Sequence, residues 1–120
     1  MKDKKEYLRL KRHRRIRLGI HGAKEKPRLV IRRSLNHFSA QIIDDAENKT
    51  LFSLSTQDKE IKQKFASCGN IKAAEFFGEV FARRLKDKGI TKIIFDRSGY
   101  IYHGRVKVFA EGLRKGGLEF

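Results

Sequence analysis

The alternation of apolar and polar positions in the first half of the chain predicts three antiparallel strands. The segment RLVIRRS (28–34) is rich in β-branched and apolar residues, and FSAQIIDD (38–45) alternates with a period of two. A third strand, TLFSLST (50–56), follows the polar turn DAENK. The apolar face would carry Phe38, Ala40 and Ile42, and the polar face Ser39, Gln41, Ser53 and Ser55. We expect helices on the apolar face of such a sheet only.

The pattern then changes to the spacing of three and four residues that is typical of helices. STQDKEIKQKF predicts a short helix with a capping box that begins at Ser55. NIKAAEFFGEVFARRLKDKG predicts a longer helix that is capped by Asn70 and ended by Gly89. The apolar stripe of the longer helix comprises Ile71, Ala74, Phe77, Phe81 and Leu85.

The last third of the chain adds one strand and one helix. The segment KIIF (92–95) is too apolar for a surface strand, so it predicts a buried, parallel strand that is reached by a helical crossover. A final helix would end at Gly116–Gly117, with Val106, Phe109 and Leu113 pointing inward. The order β-β-β-α-α-β-α indicates an α/β fold with a mixed sheet, in which an antiparallel meander is joined by one parallel strand and helices cover one main face.

The positive charge is concentrated at the start of the chain. Lys and Arg number 29 and Asp and Glu 14, which gives a formal net charge of +15. Residues 1–28 alone hold 12 basic and 3 acidic residues, and the single proline, Pro27, follows most of them. We therefore predict a basic arm (1–26) and a globular part (27–120). The arm could form a helix that ends at Gly19, but repulsion between its charges should leave it partly disordered until it binds a polyanion.

This charge also limits the classes of partner. A field of this sign attracts nucleic acid, anionic membranes and acidic proteins. The arm is the first candidate site, because six of the nine residues from position 9 to 17 are basic: Arg9, Lys11, Arg12, Arg14, Arg15 and Arg17. The arm lacks an organised apolar face, so membrane binding is disfavoured.

Other compositional features exclude several kinds of site. A single cysteine, Cys68, rules out an internal disulfide framework, and we interpret it as a small buried thiol. The four histidines are scattered, so no metal site is predicted, and no phosphate-binding or dinucleotide motif indicates a cofactor. There is no apolar run of membrane-spanning length and no secretory signal, which favours a cytosolic protein.

The stretch FDRSGYIYHGRVK (95–107) has the composition of an active site. Three antiparallel strands followed by a buried strand ending in aspartate is also the arrangement of ribonuclease H-like nucleases, which need several carboxylates to hold two metal ions. Asp96 could be one, but the first strand offers only arginines. We therefore predict a non-catalytic protein, with Asp96 paired to Arg97 or Arg105 or bonded to turn amides.

Two loops are candidate RNA-binding sites. Tyr100 and Tyr102 lie two residues apart and would face the same way in an extended segment, either to stack on bases or to pack in the core. The cations near them favour the first interpretation, since arginine and aromatic side chains together suit unstacked RNA bases. The turn RRSLNHF has the same composition, although by itself it indicates an ordinary polar hairpin turn. The candidates are Arg97, Tyr100, Tyr102, His103 and Arg105 in the first loop, and Arg32, Arg33, Asn36, His37 and Phe38 in the second.

Nearly the whole chain resembles the bacterial large-subunit ribosomal protein family that binds 5S rRNA, the eighteenth of that subunit's series. The resemblance rests on RLVIRRSLNHFSAQIIDD, TLFSLST, GNIKAAEFFGEVFARRLKDKGI, FDRSGYIYHGRVK and GGLEF, in the family's order and spacing. Ser98 stands where glycine is more common in the family, and Ser39 where an aromatic residue is common, which weakens base stacking at position 39.

The resemblance implies a fold related to the ribonuclease H-like motif but without its catalytic acids. It also implies binding of 5S rRNA through the arm, the open sheet face and the loops, in the central protuberance of the large ribosomal subunit. The implied partners are 5S rRNA, 23S rRNA and a neighbouring 5S-binding ribosomal protein, with this chain as a monomer in the cytoplasmic ribosome. On this basis we expect the arm to neutralise phosphates and the two loops to supply shape and base-edge contacts.

Overall fold

The computed structural model describes residues 4–22, 25–65 and 70–120. Strands and helices follow one another in the order predicted for the globular part, and a further helix lies in the arm. The elements are α1 (Lys4–Leu18), β1 (Arg28–Arg33), β2 (Phe38–Asp44), β3 (Lys49–Ser55), α2 (Lys59–Lys64), α3 (Ile71–Asp87), β4 (Ile94–Asp96) and α4 (Arg105–Lys115).

The four strands form one mixed sheet in the spatial order β3-β2-β1-β4. The pairs β1–β2 and β2–β3 are antiparallel, whereas β4 lies parallel to β1. Ser39 pairs with Ser55, and Gln41 pairs with Ser53, so the predicted polar row runs across two neighbouring strands. The predicted α/β fold with a meander and one parallel strand is therefore confirmed.

Helices α3 and α4 cover the apolar face of the sheet and enclose the core. The ring of Phe38, on β2, lies 4.8 Å from the ring of Phe109 between centroids, and Phe109 lies 5.2 Å from Phe77. The two helices cross closely at Gly78 and Gly112. A Cβ at Gly78 would lie 2.5 Å from the Phe109 carbonyl oxygen, and one at Gly112 would lie 2.5 Å from a carbonyl oxygen of α3. Larger residues at these two positions would separate the helices from each other.

The predicted ends of α3 are confirmed, but the predicted start of α2 is wrong. Asn70 caps α3 by accepting a hydrogen bond from an amide of its first turn, and Gly89 follows the helix with φ +81°. Asp58, rather than Ser55, caps α2. Ser55 still belongs to β3, where it is paired with Ser39, so its backbone cannot serve as the start of a helix.

The fourth strand begins later than the apolar run KIIF predicts. Ile93 is fully buried but lies before β4, and Lys92 forms an isolated bridge with Glu119 near the end of the chain. Strand pairing with β1 begins only at Ile94. The C-terminal residues therefore extend the edge of the sheet beyond the predicted strand.

Three further predictions need comment. Ile71 does not belong to the buried stripe of α3, because it is 52% exposed at the start of the helix. Cys68 lies outside the described residues. The expectation that helices occupy the apolar face only is wrong for α1, whose Leu10 and His13 line a groove together with Gln41 of the polar face.

Candidate nucleic-acid interface

The arm helix α1 is held against the loop that joins β4 to α4. The guanidinium of Arg9 donates to the Ser98 carbonyl oxygen at 2.9 Å, and Nε of Arg12 donates to the Gly99 carbonyl oxygen at 2.9 Å. Gly99 has φ +79°, and a Cβ there would lie 2.2 Å from the Arg9 carbonyl oxygen. Only a glycine allows the two backbones to approach this closely.

The C-terminal end of α1 is tied to the sheet through Asp45. Arg17 donates to Oδ1 of Asp45 at 3.1 Å, while the amide of Gly22 and Nε of Arg28 donate to Oδ2 at 2.7 and 3.0 Å. The hydrogen bond from Arg28 is the main reason that the pKa of Asp45 is lowered to about 2, although burial of the carboxylate opposes the shift. Three separate segments therefore share one carboxylate.

These contacts divide the six predicted cations of the arm into two sets. Arg9, Arg12 and Arg17 hold the arm against the globular part. The other three, Lys11, Arg14 and Arg15, are exposed. Among the residues that the structure describes, none of these three is paired with a carboxylate. The second set is exposed to an external polyanion, whereas in the first set Arg9 and Arg17 are paired with carboxylates and Arg12 donates to a backbone carbonyl.

The environment of Asp96 agrees with one of the predicted alternatives and not with the other. Its side chain is fully buried and accepts a hydrogen bond from Arg28 at 2.9 Å, whereas neither Arg97 nor Arg105 pairs with it. The predicted turn bond is confirmed, because Oδ1 accepts from the Ser98 amide at 2.9 Å. Arg97 instead donates to the Tyr100 carbonyl oxygen and so braces its own loop.

The two tyrosines do not face the same way, since the segment between them forms a turn rather than an extended strand. Tyr100 is only 8% exposed, and its hydroxyl accepts from the Arg33 amide at 3.2 Å and donates to the Arg33 carbonyl oxygen at 3.3 Å. The guanidinium groups of Arg9 and Arg33 lie over the Tyr100 ring. The prediction that a base stacks on Tyr100 is therefore wrong for this conformation. Tyr102 is 42% exposed, so the stacking of a base on its ring stays a prediction.

In the β1–β2 turn, the prediction that Phe38 contacts RNA is wrong. Its side chain is 1% exposed and lies among the aromatic rings of the core. His37 is half-buried, with Nδ1 3.1 Å from the Thr56 hydroxyl oxygen. Asn36 is exposed at the tip of the turn, as are the side chains of Arg32 and Arg33 before it.

The structure brings part of the predicted set into one surface groove. We call this the cationic groove; it is lined by α1, the β1–β2 turn and the β4–α4 loop. Its predicted residues are Arg9, Arg12, Arg32, Arg33, His103 and Arg105, with Tyr100 at its base. The sequence-based prediction missed the other lining residues, which are Lys5, Glu6, Leu8, Ser34, Leu35, Ile101 and Gly104. Glu6 is a carboxylate, and it pairs with Arg9 at 2.8 Å. Nothing in the sequence pattern marks Leu35 and Ile101 as groove residues; they are 84% and 63% exposed.

The electrostatics of the cationic groove are not balanced within the chain. In the described part of the protein, no carboxylate pairs with Arg12, Arg32, Arg33 or Arg105. Partial burial and, secondly, repulsion from Arg33 lower the pKa of Arg105. A bound anion would favour the charged form of Arg105 and so oppose both effects.

Two other kinds of site are absent from the described residues. Across 4–22, 25–65 and 70–120, no three His, Cys, Asp or Glu side chains come together as metal ligands would. Within those ranges, no helix has the length and apolar character needed to cross a membrane.

Comparison with known proteins identifies the family. The family model described as ribosomal L18 of archaea, bacteria, mitochondria and chloroplasts matches residues 3–120. The large ribosomal subunit protein uL18 of Acetivibrio thermocellus is 51% identical over 112 residues, covering 93% of this chain and 92% of the relative. The uL18 protein of Thermotoga petrophila is 49% identical over 119 residues, covering 99% and 98%. That of Dictyoglomus thermophilum is 48% identical over 120 residues, covering 100% and 98%. With full-length matches of this strength, the chain belongs to the ribosomal L18 family, as a large-subunit ribosomal protein of the bacterial type.

Proposed function

We propose that the protein binds 5S rRNA and helps to attach it to 23S rRNA in the central protuberance of the large subunit. Family membership places the protein in the large subunit of the cytoplasmic ribosome. The observation that carries the proposal is the cationic groove, where four arginines lack a carboxylate partner among the described residues: Arg12, Arg32, Arg33 and Arg105. A surface of this kind is suited to a dense polyanion that can replace the missing negative charges.

The arm and the groove would contribute differently to binding. Lys11, Arg14 and Arg15 are exposed on α1, where each can neutralise a phosphate and release its counterions. The groove and Tyr102 combine arginine side chains with an exposed aromatic ring. That combination suits the unstacked bases of RNA loops and bulges. The arm would therefore supply salt-dependent affinity, and the loops would supply the preference for one RNA.

We further propose that the protein is not an enzyme. The carboxylate that a ribonuclease H-like nuclease would need at the end of β4 is Asp96, and its side chain is bonded to Arg28 within the core. A guanidinium at that position repels the metal ions on which such nucleases depend. The other proposed partners are 23S rRNA and a neighbouring 5S-binding ribosomal protein, with one copy of this chain in each ribosome.

Filter binding to 5S rRNA and to an unrelated RNA duplex, measured across a range of salt concentrations, tests the proposal. The full chain should prefer 5S rRNA. A variant that lacks residues 1–18 should bind more weakly, with a slope of log affinity against log salt that is shallower by at least about 2–3, because it loses Lys11, Arg14 and Arg15 together with Arg12 of the groove. Equal affinity for both RNAs would contradict the proposal, and an unchanged slope would remove the arm from the mechanism.

A further inference from the structure

We propose that the cationic groove contains a binding site for a single phosphodiester group, held between the guanidinium groups of Arg33 and Arg105. The inference rests on the proposed function and refines it. The two loops would then do more than read shape and base edges, because each contributes one cation to a phosphate site that is separate from the exposed cations of the arm.

Arg105 forms one side of the site. It is the first residue of α4, it is half-buried, and its guanidinium donates to the Leu35 carbonyl oxygen at the margin of hydrogen-bond length, 3.4 Å. This bond orients the side chain across the groove toward the β1–β2 turn. In the described part of the chain no carboxylate reaches Arg105, so its remaining donors face the groove without a charged acceptor.

Arg33 supplies the second cation, since it lines the same groove, and its backbone is bonded to Tyr100. The hydroxyl of Tyr100 is bonded to both the amide and the carbonyl of Arg33, at 3.2 and 3.3 Å. The Arg33 guanidinium lies 4.8 Å from the centroid of the Tyr100 ring. Because Tyr100 is 8% exposed and packs into the core, it holds the backbone and the charged group of Arg33 in one arrangement. Tyr100 is therefore a positioning residue for the site.

The start of α4 strengthens the positive potential at this point. Gly104 caps this 11-residue helix with φ +57° and, being a glycine, offers no side-chain acceptor to the first amides. The positive end of the helix dipole lies next to Arg105, where it favours an anion. This feature adds to the two guanidinium groups and would not make a site without them.

A phosphodiester matches these groups better than other parts of an RNA. Two guanidinium groups that repel each other require a ligand with a negative charge and at least two acceptor atoms. The non-bridging oxygens of one phosphate meet both needs, and guanidinium binds phosphate with strong, directional hydrogen bonds. Leu35 and Ile101, both exposed at the rim of the groove, offer apolar contact to the adjoining ribose or base.

The experiment uses the full chain and a set of charge-removing variants: Arg33→Gln, Arg105→Gln, the double variant, and Lys107→Gln as a matched control. Lys107 is exposed on α4 and does not line the groove. We expect the slope of log affinity for 5S rRNA against log salt concentration to be shallower than that of the wild type by about 0.7–0.9 in either arginine variant. The slope of the double variant should be little shallower than that of either single variant, because the two substitutions remove the same phosphate contact. Lys107→Gln should keep the wild-type slope.

A second readout does not depend on RNA. Titration with inorganic phosphate at constant ionic strength should shift the side-chain and backbone amide NMR signals of Arg105 in the wild type, and the Arg33→Gln variant should lose this shift. Equal shifts in both proteins, or slopes that fall equally in Arg105→Gln and Lys107→Gln, would overturn the site. If the wild type showed no preference for 5S rRNA, the proposed function would fail while the phosphate titration still tested the site.

Discussion

Arg28 and Asp96 form a buried ion pair between two parallel strands, with 2.9 Å between the guanidinium nitrogen and Oδ2. The Asp96 side chain is fully buried, and that of Arg28 is 9% exposed. The same guanidinium also binds Asp45, which in turn holds Arg17 at the end of the arm helix. The aspartate that looked most like a catalytic acid therefore belongs to a network that connects the sheet to the arm.

Replacement of Asp96 by Asn should destabilise the protein. The change leaves the buried guanidinium of Arg28 with one carboxylate instead of two, and breaking a buried pair from one side typically costs about 3 kcal/mol or more. Urea unfolding followed by circular dichroism would measure the loss. Asp87→Asn removes the same charge from an exposed position at the end of α3, and its free energy of unfolding should stay within about 0.5 kcal/mol of the wild type. Similar stabilities for the two variants would show that the pair has no structural role.

The low pKa of Asp45 predicts acid sensitivity of the same network. Since its folded-state pKa of about 2 lies below the ordinary value of 3.8, the ionised carboxylate stabilises the fold fully above about pH 5. This contribution decreases as the pH falls and is lost as the pH passes through about 2. Between pH 5 and pH 2 the wild type should lose about 2 kcal/mol more than Asp45→Asn does. Denaturant unfolding at a series of pH values would show this, and parallel curves for the two proteins would contradict it.

Docking of the arm helix should depend on the absence of a side chain at position 99. Gly99→Ala places a Cβ against the backbone of Arg9 and His13, so α1 must leave the loop. Hydrogen exchange of the α1 amides should accelerate by about tenfold, which corresponds to ~1.4 kcal/mol of lost docking energy. Gly89→Ala is the matched control, because its φ of +81° is nearly the same but no atom lies within 4 Å of the new Cβ. If Gly99→Ala and Gly89→Ala accelerated hydrogen exchange in α1 equally, backbone strain would explain the effect and the contact of the new Cβ with α1 would not.

The sequence was informative where a local pattern determines the outcome. The period of two in β2 correctly separated Ala40 from Gln41, and the cap at Asn70 was correct because the side chain bonds an amide only three residues away. The ion pair of Asp96 was assigned to arginines nearby in the sequence, whereas its partner, Arg28, is 68 residues distant. A parallel strand pair brings these two residues together, and composition alone does not reveal which strands are neighbours.

The candidate site shows the same limit. The sequence pointed to two loops and the arm because arginine and aromatic residues cluster in those segments, and the structure places these segments along one groove. Burial within a loop could not be predicted: Tyr100 and Tyr102 have the same chemistry, but the turn between them sends one into the core. Phe38 is among the candidates because it belongs to the turn RRSLNHF, although the alternation of β2 places it on the apolar face. In that case the strand pattern was the stronger signal.

The burial of Phe38 predicts a loss of stability rather than a specific loss of RNA binding. Phe38→Ala should lower the free energy of unfolding by about 3–5 kcal/mol, since it leaves a cavity among the core rings. Leu35→Ala, three residues earlier and 84% exposed, should change it by less than about 0.5 kcal/mol. Thermal and denaturant unfolding would separate the two. The more conservative Phe38→Leu should fold and retain the affinity of the wild type for 5S rRNA, and a tenfold weaker affinity in that folded variant would place the ring at the interface after all.

Tyr102 is the aromatic side chain of the β4–α4 loop that remains open for stacking. Its ring is 42% exposed, and its hydroxyl receives only a long contact of 3.5 Å from Arg114. Stacking on a base depends on the ring and not on the hydroxyl, so Tyr102→Phe should bind 5S rRNA as the wild type does. Tyr102→Ala should lose about 1–3 kcal/mol of binding free energy, with little change in the salt dependence because no charge is removed. The same loss in the Phe and Ala variants would assign the contact to the hydroxyl. A loss that is equal on 5S rRNA and on an unrelated duplex would mean that Tyr102 contributes no preference between RNAs.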